Sequence, residues 1–209
     1  EDAAIELTGP DVDSVWEVTG KNSGVLQSSG LGAIEFTDVK TLVGGSSDDT
    51  LDYSLYSTSV VVDFPSGNAT DLVEVREIEN VIGGTGDDTF IVGEIGDGES
   101  VGFVSGGGGS DSLEAEDGSN VWVVDGEDAG TLNAIAFGSI ENFVGGAEDD
   151  VFVFDVATRV SGIVFGGGGD DTLIGANQDN TWIISAFNSG SLNGVAFVGI
   201  ENLVGGDAT

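Results

Sequence analysis

The sequence predicts an all-β fold, a parallel β-solenoid (β-roll or β-helix) of about ten coils with about 20 residues each. Three observations predict it. A Gly-Gly turn followed by acids and an apolar residue recurs through the chain, a fixed apolar column precedes each turn, and glycine is far in excess. There are 36 glycines in 209 residues with no G-X-Y period. Tight corners between stacked strands account for them, because such corners need positive φ and close backbone approach.

The turns are GGSSDDTL from Gly44, GGTGDDTF from Gly83, GGGGSDSL from Gly106, GGAEDDVF from Gly145, GGGGDDTL from Gly166 and a short GGDAT from Gly205. Their starts are separated by 39, 23, 39, 21 and 39 residues, so the 39s are expected to be two coils each. The hidden turns would be DGEDAGTL from Asp125 and SAFNSGSL from Ser185, which have lost the double glycine. Two residues before each turn stand Leu42, Val81, Val104, Val123, Phe143, Val164, Ile183 and Leu203. A position that is apolar every time is expected to face inward in strands stacked in parallel. The stretch between Trp16 and Gly44 and an irregular segment at about 51–75 are expected to bulge from an otherwise single repeat domain over 1–209. A β-sandwich also suits many short strands, but it leaves the 20-residue register unexplained.

Composition narrows function by exclusion. Four basic against 38 acidic residues give a net charge of −34, which repels nucleic acid and anionic membranes. Cys and His are both absent, so thiolate chemistry, disulfides, zinc sites and Ser/His/Asp triads are ruled out, and any metal must take oxygen ligands. No apolar run approaches the ~18 residues of a membrane span. Carboxylate pairs are plentiful, yet each sits in a repeated turn where a catalytic pair should occur once, so no enzyme is expected.

GGTGDDTFI (Gly83 to Ile91), GGGGSDSLE (Gly106 to Glu114) and GGGGDDTLI (Gly166 to Ile174) match the nonapeptide GGxGxDxUx. In these segments the sequence resembles the RTX, or haemolysin-type calcium-binding repeat, family of secreted bacterial proteins. The resemblance implies Ca²⁺ held between adjacent coils by the sixth-position Asp and main-chain carbonyls. The matching acids are Asp88, Asp111 and Asp171, with Asp49 and Asp150 in turns whose fourth position is not Gly. Two pairs of neighbouring turns qualify for a shared site, Gly83 with Gly106 and Gly145 with Gly166. Ca²⁺ is therefore expected between Asp88 and Asp111 and between Asp150 and Asp171, assisted by Asp87, Asp149 and Asp170. The alternative is that these acids only shape and solvate turns. Like charges stacked at ~4.8 Å cost on the order of 1 to 3 kcal/mol per pair at surface dielectrics, a cost that a divalent ion reverses and that high salt screens.

The remaining motifs are Trp16, Trp122 and Trp182, expected to pack over strand edges or else to stack on sugars, and three Glu-Asn pairs, Glu79-Asn80, Glu141-Asn142 and Glu201-Asn202, expected to satisfy local backbone groups. Leu7 aligns with Leu113 and Leu173, each nine residues before a Trp, so the chain is expected to open inside a coil. Either the chain is a segment of a longer array, or its ends are half-coils that complete one another between molecules. The functional expectation is an extracellular or cell-surface structural rod stabilised by Ca²⁺, serving as adhesin stalk, surface-layer or matrix element. Its partners would be copies of itself head to tail or neighbouring repeats of a larger chain, without membrane insertion. The alternative is a polysaccharide-binding module of a larger secreted enzyme.

Overall fold

The computed structural model describes residues 5–93, 101–155 and 159–206. Among these there is no helix, and the chain is all-β with parallel and mixed sheets. It divides into two compact units, residues 1–109 and 110–209.

The first unit holds β1 (Ile5–Thr8), β2 (Ser14–Gly20), β3 (Ser23–Ser28), β4 (Gly32–Phe36), β5 (Val39–Val43), β6 (Thr50–Asp52), β7 (Val61–Asp63), β8 (Asn68–Ala69), β9 (Glu74–Arg76), β10 (Asn80–Ile82), β11 (Thr89–Val92) and β12 (Phe103–Ser105). β1, β5 and β9 run in parallel, as do β2, β6, β10 and β12, while β7 pairs in parallel with β11. The register of the second ladder stacks Trp16, Leu51, Val81 and Val104, and all four are fully buried. Residues alternate along a strand, so each ladder feeds one file of side chains inward and the next file outward.

The second unit holds β13 (Ser112–Ala115), β14 (Val121–Gly126), β15 (Ala129–Leu132), β16 (Ile135–Gly138), β17 (Asn142–Gly146), β18 (Val151–Phe154), β19 (Ile163–Gly167), β20 (Thr172–Ile174), β21 (Trp182–Ala186), β22 (Ser189–Leu192), β23 (Val195–Val198) and β24 (Asn202–Val204). Two parallel ladders interleave in sequence. One runs β13, β17, β19, β23 and carries Leu113, Phe143, Val164 and Phe197 in register. The other runs β14, β18, β20, β24 and carries Trp122, Phe152, Leu173 and Leu203. Trp122 stacks on Phe143 and Phe152 at ring separations of 5.4 and 5.6 Å, so the two ladders meet in an aromatic core.

Two of the three 39-residue spacings, those from Gly106 and Gly166, are not pairs of parallel coils. Residues 121–138 form an antiparallel meander, β14-β15-β16, and residues 182–198 form its counterpart, β21-β22-β23. The segments at Asp125 and Ser185 are therefore hairpin turns, in which Asp128 and Asn188 take positive φ at 48° and 51°. Without a double glycine the chain reverses in the plane of the sheet instead of turning a corner. The stretch after Trp16 is a third such meander, β2-β3-β4, rather than a bulging loop. The expected apolar column holds at Leu42, Val81, Val104, Phe143 and Val164, all fully buried, fails at Ile183 and Leu203, which are exposed, and slips by one at the β14 meander. There Trp122 and Val124 are buried in place of Val123, as the two-residue period of a strand requires.

Candidate functional site

The acidic turns are built from glycine outward. A methyl group added at Gly145 would collide with the carbonyl oxygen of Gly166 and with the carboxylate of Asp150. At Gly166 it would collide with the carbonyl of Gly199 and with Asp171, and at Gly83 with the carbonyl of Gly106 and with Asp88. In the turns at Gly145 and Gly166 the second glycine takes a left-handed backbone, with φ 129° at Gly146 and 103° at Gly167. The corners expected to be neighbours are so. Gly108 donates its N–H to the Gly84 carbonyl and Gly168 to the Gly146 carbonyl, each at 2.9 Å.

The sixth-position aspartates point inward. Asp49, Asp111, Asp150 and Asp171 are fully buried and Asp88 nearly so. Asp87, Asp149 and Asp170 are exposed, since consecutive residues of an extended chain fall on opposite faces. Outside the turn the Asp170 N–H donates to Asp149 Oδ1 at 2.9 Å. Inside it the Asp150 N–H donates to Asp171 Oδ1 at 2.9 Å, which joins the two acids expected to share an ion. Asp150 Oδ1 in turn accepts from the Asn120 N–H at 2.7 Å. The other oxygens, Oδ2 of Asp150 and of Asp171, are buried and make no hydrogen bond. Asp88 accepts from the Val60 and Gly84 N–H groups at 2.8 and 2.7 Å. Asp88 lies in the first unit and Asp111 in the second, and each is placed within its own unit.

The Glu-Asn pairs complete the site in a way their sequence position hides. Glu79, Glu141 and Glu201 each accept, through Oε2, the backbone N–H of Asp49, Asp111 and Asp171, at 2.7, 2.6 and 2.8 Å. The following Asn80, Asn142 and Asn202 each donate a backbone N–H, at 2.9, 2.9 and 2.8 Å, and a more distant Nδ2 to the carbonyl oxygen of the same aspartate. Each pair thus clasps both backbone groups of an aspartate 30 residues earlier. The signal in the sequence is that constant offset, with a Glu-Asn after each of three Asp turns. The backbone groups that these pairs satisfy are therefore not local ones but those of the neighbouring turn, 30 residues earlier.

Burial raises the pKa of Asp49, Glu79, Asp88, Asp150 and Asp171. Asp171 is pushed up to about 6, chiefly by burial and further by the charges of Asp150, Glu201 and Asp149. Asp49 also rises to about 6, through burial and then Glu79, with Ser14 acting against the rise. Asp88, Asp150 and Glu79 are raised by burial as well. A buried carboxylate with an unused oxygen needs either a proton or a cation. The donor set fits a hard cation, because the atoms around these turns are carboxylate and carbonyl oxygens. Among the described residues no group of three or more acidic side chains converges, so main-chain carbonyls and water would have to complete the coordination.

Trp16 and Trp122 are fully buried and pack edge-on against Phe36 and Phe137 at 6.2 and 5.9 Å. Neither can stack on a sugar. Trp182 is partly exposed.

No family model and no curated protein matches the chain.

Proposed function

We propose that this chain is a non-enzymatic extracellular structural protein, a β-solenoid of RTX type whose stacked Gly-Asp turns take up Ca²⁺. The observation that carries the reading is the pair of unused, buried oxygens, Oδ2 of Asp150 and of Asp171, on acids linked through the backbone of adjacent turns. Asp150 and Asp171 would hold the ion together with carbonyl oxygens of the Gly145 and Gly166 turns. Bound there, the ion would neutralise two carboxylates that otherwise repel each other in a medium poorer than water at screening charge. The repetition of the carboxylate arrangement along the chain favours a structural over a catalytic role, since a reaction needs one asymmetric pair rather than a row of like ones. Burial of Trp16 and Trp122 removes two of the three tryptophans from the polysaccharide reading and leaves it only Trp182.

Thermal melting at low ionic strength tests the proposal. With Kd near 10⁻⁴ M, ~10 mM Ca²⁺ stabilises the fold by about 2.7 kcal/mol per site over an EGTA-treated sample. Asp171→Asn should abolish much of that gain, and Asp170→Asn should leave it. An identical Tm in Ca²⁺ and EGTA would remove calcium from the account.

A further inference from the structure

The irregular segment of the first unit carries no Gly-Gly corner over residues 53–75, and within it Asn68-Ala69-Thr70 is the one Asn-x-Ser/Thr triplet of the sequence. There β7 and β8 form an antiparallel hairpin, with Val62 opposite Ala69 and Asp63 opposite Asn68. Val62 and Ala69 are buried, so the alternation of a strand turns Val61, Asp63 and Asn68 to the outer side. Asn68 is exposed. It follows directly on the turn Phe64-Pro65-Ser66-Gly67, closed by the Gly67 N–H on the Phe64 carbonyl at 3.1 Å, in which Gly67 takes φ 71°.

The use of its side chain sets Asn68 apart. The asparagines of the Glu-Asn clasps and of the β14 and β21 meanders bond through their side chains to main-chain groups and so belong to the scaffold. Asn68 Nδ2 donates instead to Ser66 Oγ, at 2.7 Å. An amide nitrogen has two hydrogens, so one remains for Ser66 when the other is replaced. Beside the triplet on the outer side stands Val61, 47% exposed, whose carbonyl accepts the Thr70 N–H at 2.9 Å. The C–H face of a sugar ring can cover such an apolar side chain.

We propose that Asn68 is a glycosylation site, carrying on Nδ2 an oligosaccharide that lies over Val61. The donor is an oligosaccharide joined through its anomeric carbon to a polyprenyl phosphate or pyrophosphate. Nδ2 forms the new bond to that carbon, the carbon–oxygen bond to the lipid phosphate breaks, and its electron pair leaves with the phosphate. One Nδ2 proton passes to a base of the transferase. In the finished hairpin Thr70 Oγ1 accepts the Val61 N–H at 2.8 Å, which withdraws the hydroxyl that a transferase reads, so transfer precedes the pairing of β7 with β8. The site rests on the extracellular placement proposed above, since such donors serve chains on their way out of the cell, and it does not depend on calcium.

Mass spectrometry of the protein from the cells that make it tests the site, with exported and cytoplasmic fractions kept apart. Cleavage before Asp63 and Asp71 releases residues 63–70, in which Asn68 is the one asparagine. That peptide should carry the added mass of sugar units, and electron-transfer fragmentation should place it on Asn68. Asn68→Gln and Thr70→Val, expressed in the same cells, should each abolish the added mass, and Thr70→Ser should keep it. Circular dichroism checks that each variant folds. Added mass that survives Asn68→Gln would put the sugar on Ser66 or Thr70 and overturn the proposal. Bare Asn68 on exported protein would overturn the glycan alone, and bare Asn68 on protein confined to the cytoplasm would overturn the extracellular reading with it.

Discussion

The meanders β14-β15-β16 and β21-β22-β23 are nearly the same object made twice, 60 residues apart. Both begin with a tryptophan that packs edge-on against a phenylalanine, Trp122 on Phe137 and Trp182 on Phe197. Both turn on an asparagine pair. Asn133 Oδ1 accepts from the Val121 N–H while its Nδ2 donates to Asn120, and Asn193 does the same with Thr181 and Asn180, all at 2.7 to 2.9 Å. The difference that governs burial is the strand laid on the outer edge, which among the described residues β14 has and β21 has not. With β18 in place, Trp122 and Val124 are fully buried, and without a counterpart Ile184 is 61% exposed. The hairpin chemistry is thus local, while burial of its tryptophan comes from the next strand in the ladder.

The widest gap between the two copies should come from a charge. Val124→Lys forces an ammonium group into a closed core and should prevent folding, beyond the ~4–5 kcal/mol that single substitutions rarely exceed. Ile184→Lys should move the monomer by no more than about 0.5 kcal/mol. Urea titrations of the two variants read the contrast directly. Next in size, Trp122→Ala should cost about 3–5 kcal/mol, and Trp182→Ala less than half of that in the monomer. If both cost the same, the edge strand is not what buries the ring. Asn133→Ala and Asn193→Ala should each cost about 1–3 kcal/mol, because each strips a partner from a backbone N–H and from a second asparagine. Equal losses there would place the asparagine pair inside the meander, independent of the covering strand.

The smallest contrast is in pH. Asp49 and Asp171 have raised pKa values in the folded state, so their contribution to stability is fully present below the ordinary carboxylate value and is lost as pH rises through about 6. Without calcium, Tm should therefore fall between about pH 4 and 7, and Asp171→Asn should flatten that slope while Asp170→Asn leaves it. Calcium should help most at the upper end of the window, where the carboxylates are ionised.

Much of the architecture was legible in the sequence because it rests on short rules. A column of Leu42, Val81, Val104, Phe143 and Val164 can face only one way in a parallel ladder, and a Gly-Gly corner excludes any side chain. What could not be read was where the chain stops turning corners and starts folding back. DGEDAGTL keeps the Thr-Leu spacing of a coil, and nothing in its apolar pattern separates a hairpin from a corner, since both present alternate residues inward. Of the site, the inward aspartates were legible from their motif. The clasps of Glu79, Glu141 and Glu201 were not, because a bond across 30 residues leaves no local periodicity.

Those clasps set an order of events. Asp171 acquires its backbone partners only when Glu201 and Asn202 have arrived, and the same wait of 30 residues applies to Asp49 and Asp111. A longer array of such layers would stretch no fastening bond further than a short one. Assembly would then advance as a front, each newly released stretch of chain securing the layer before it, at a closure cost independent of total length.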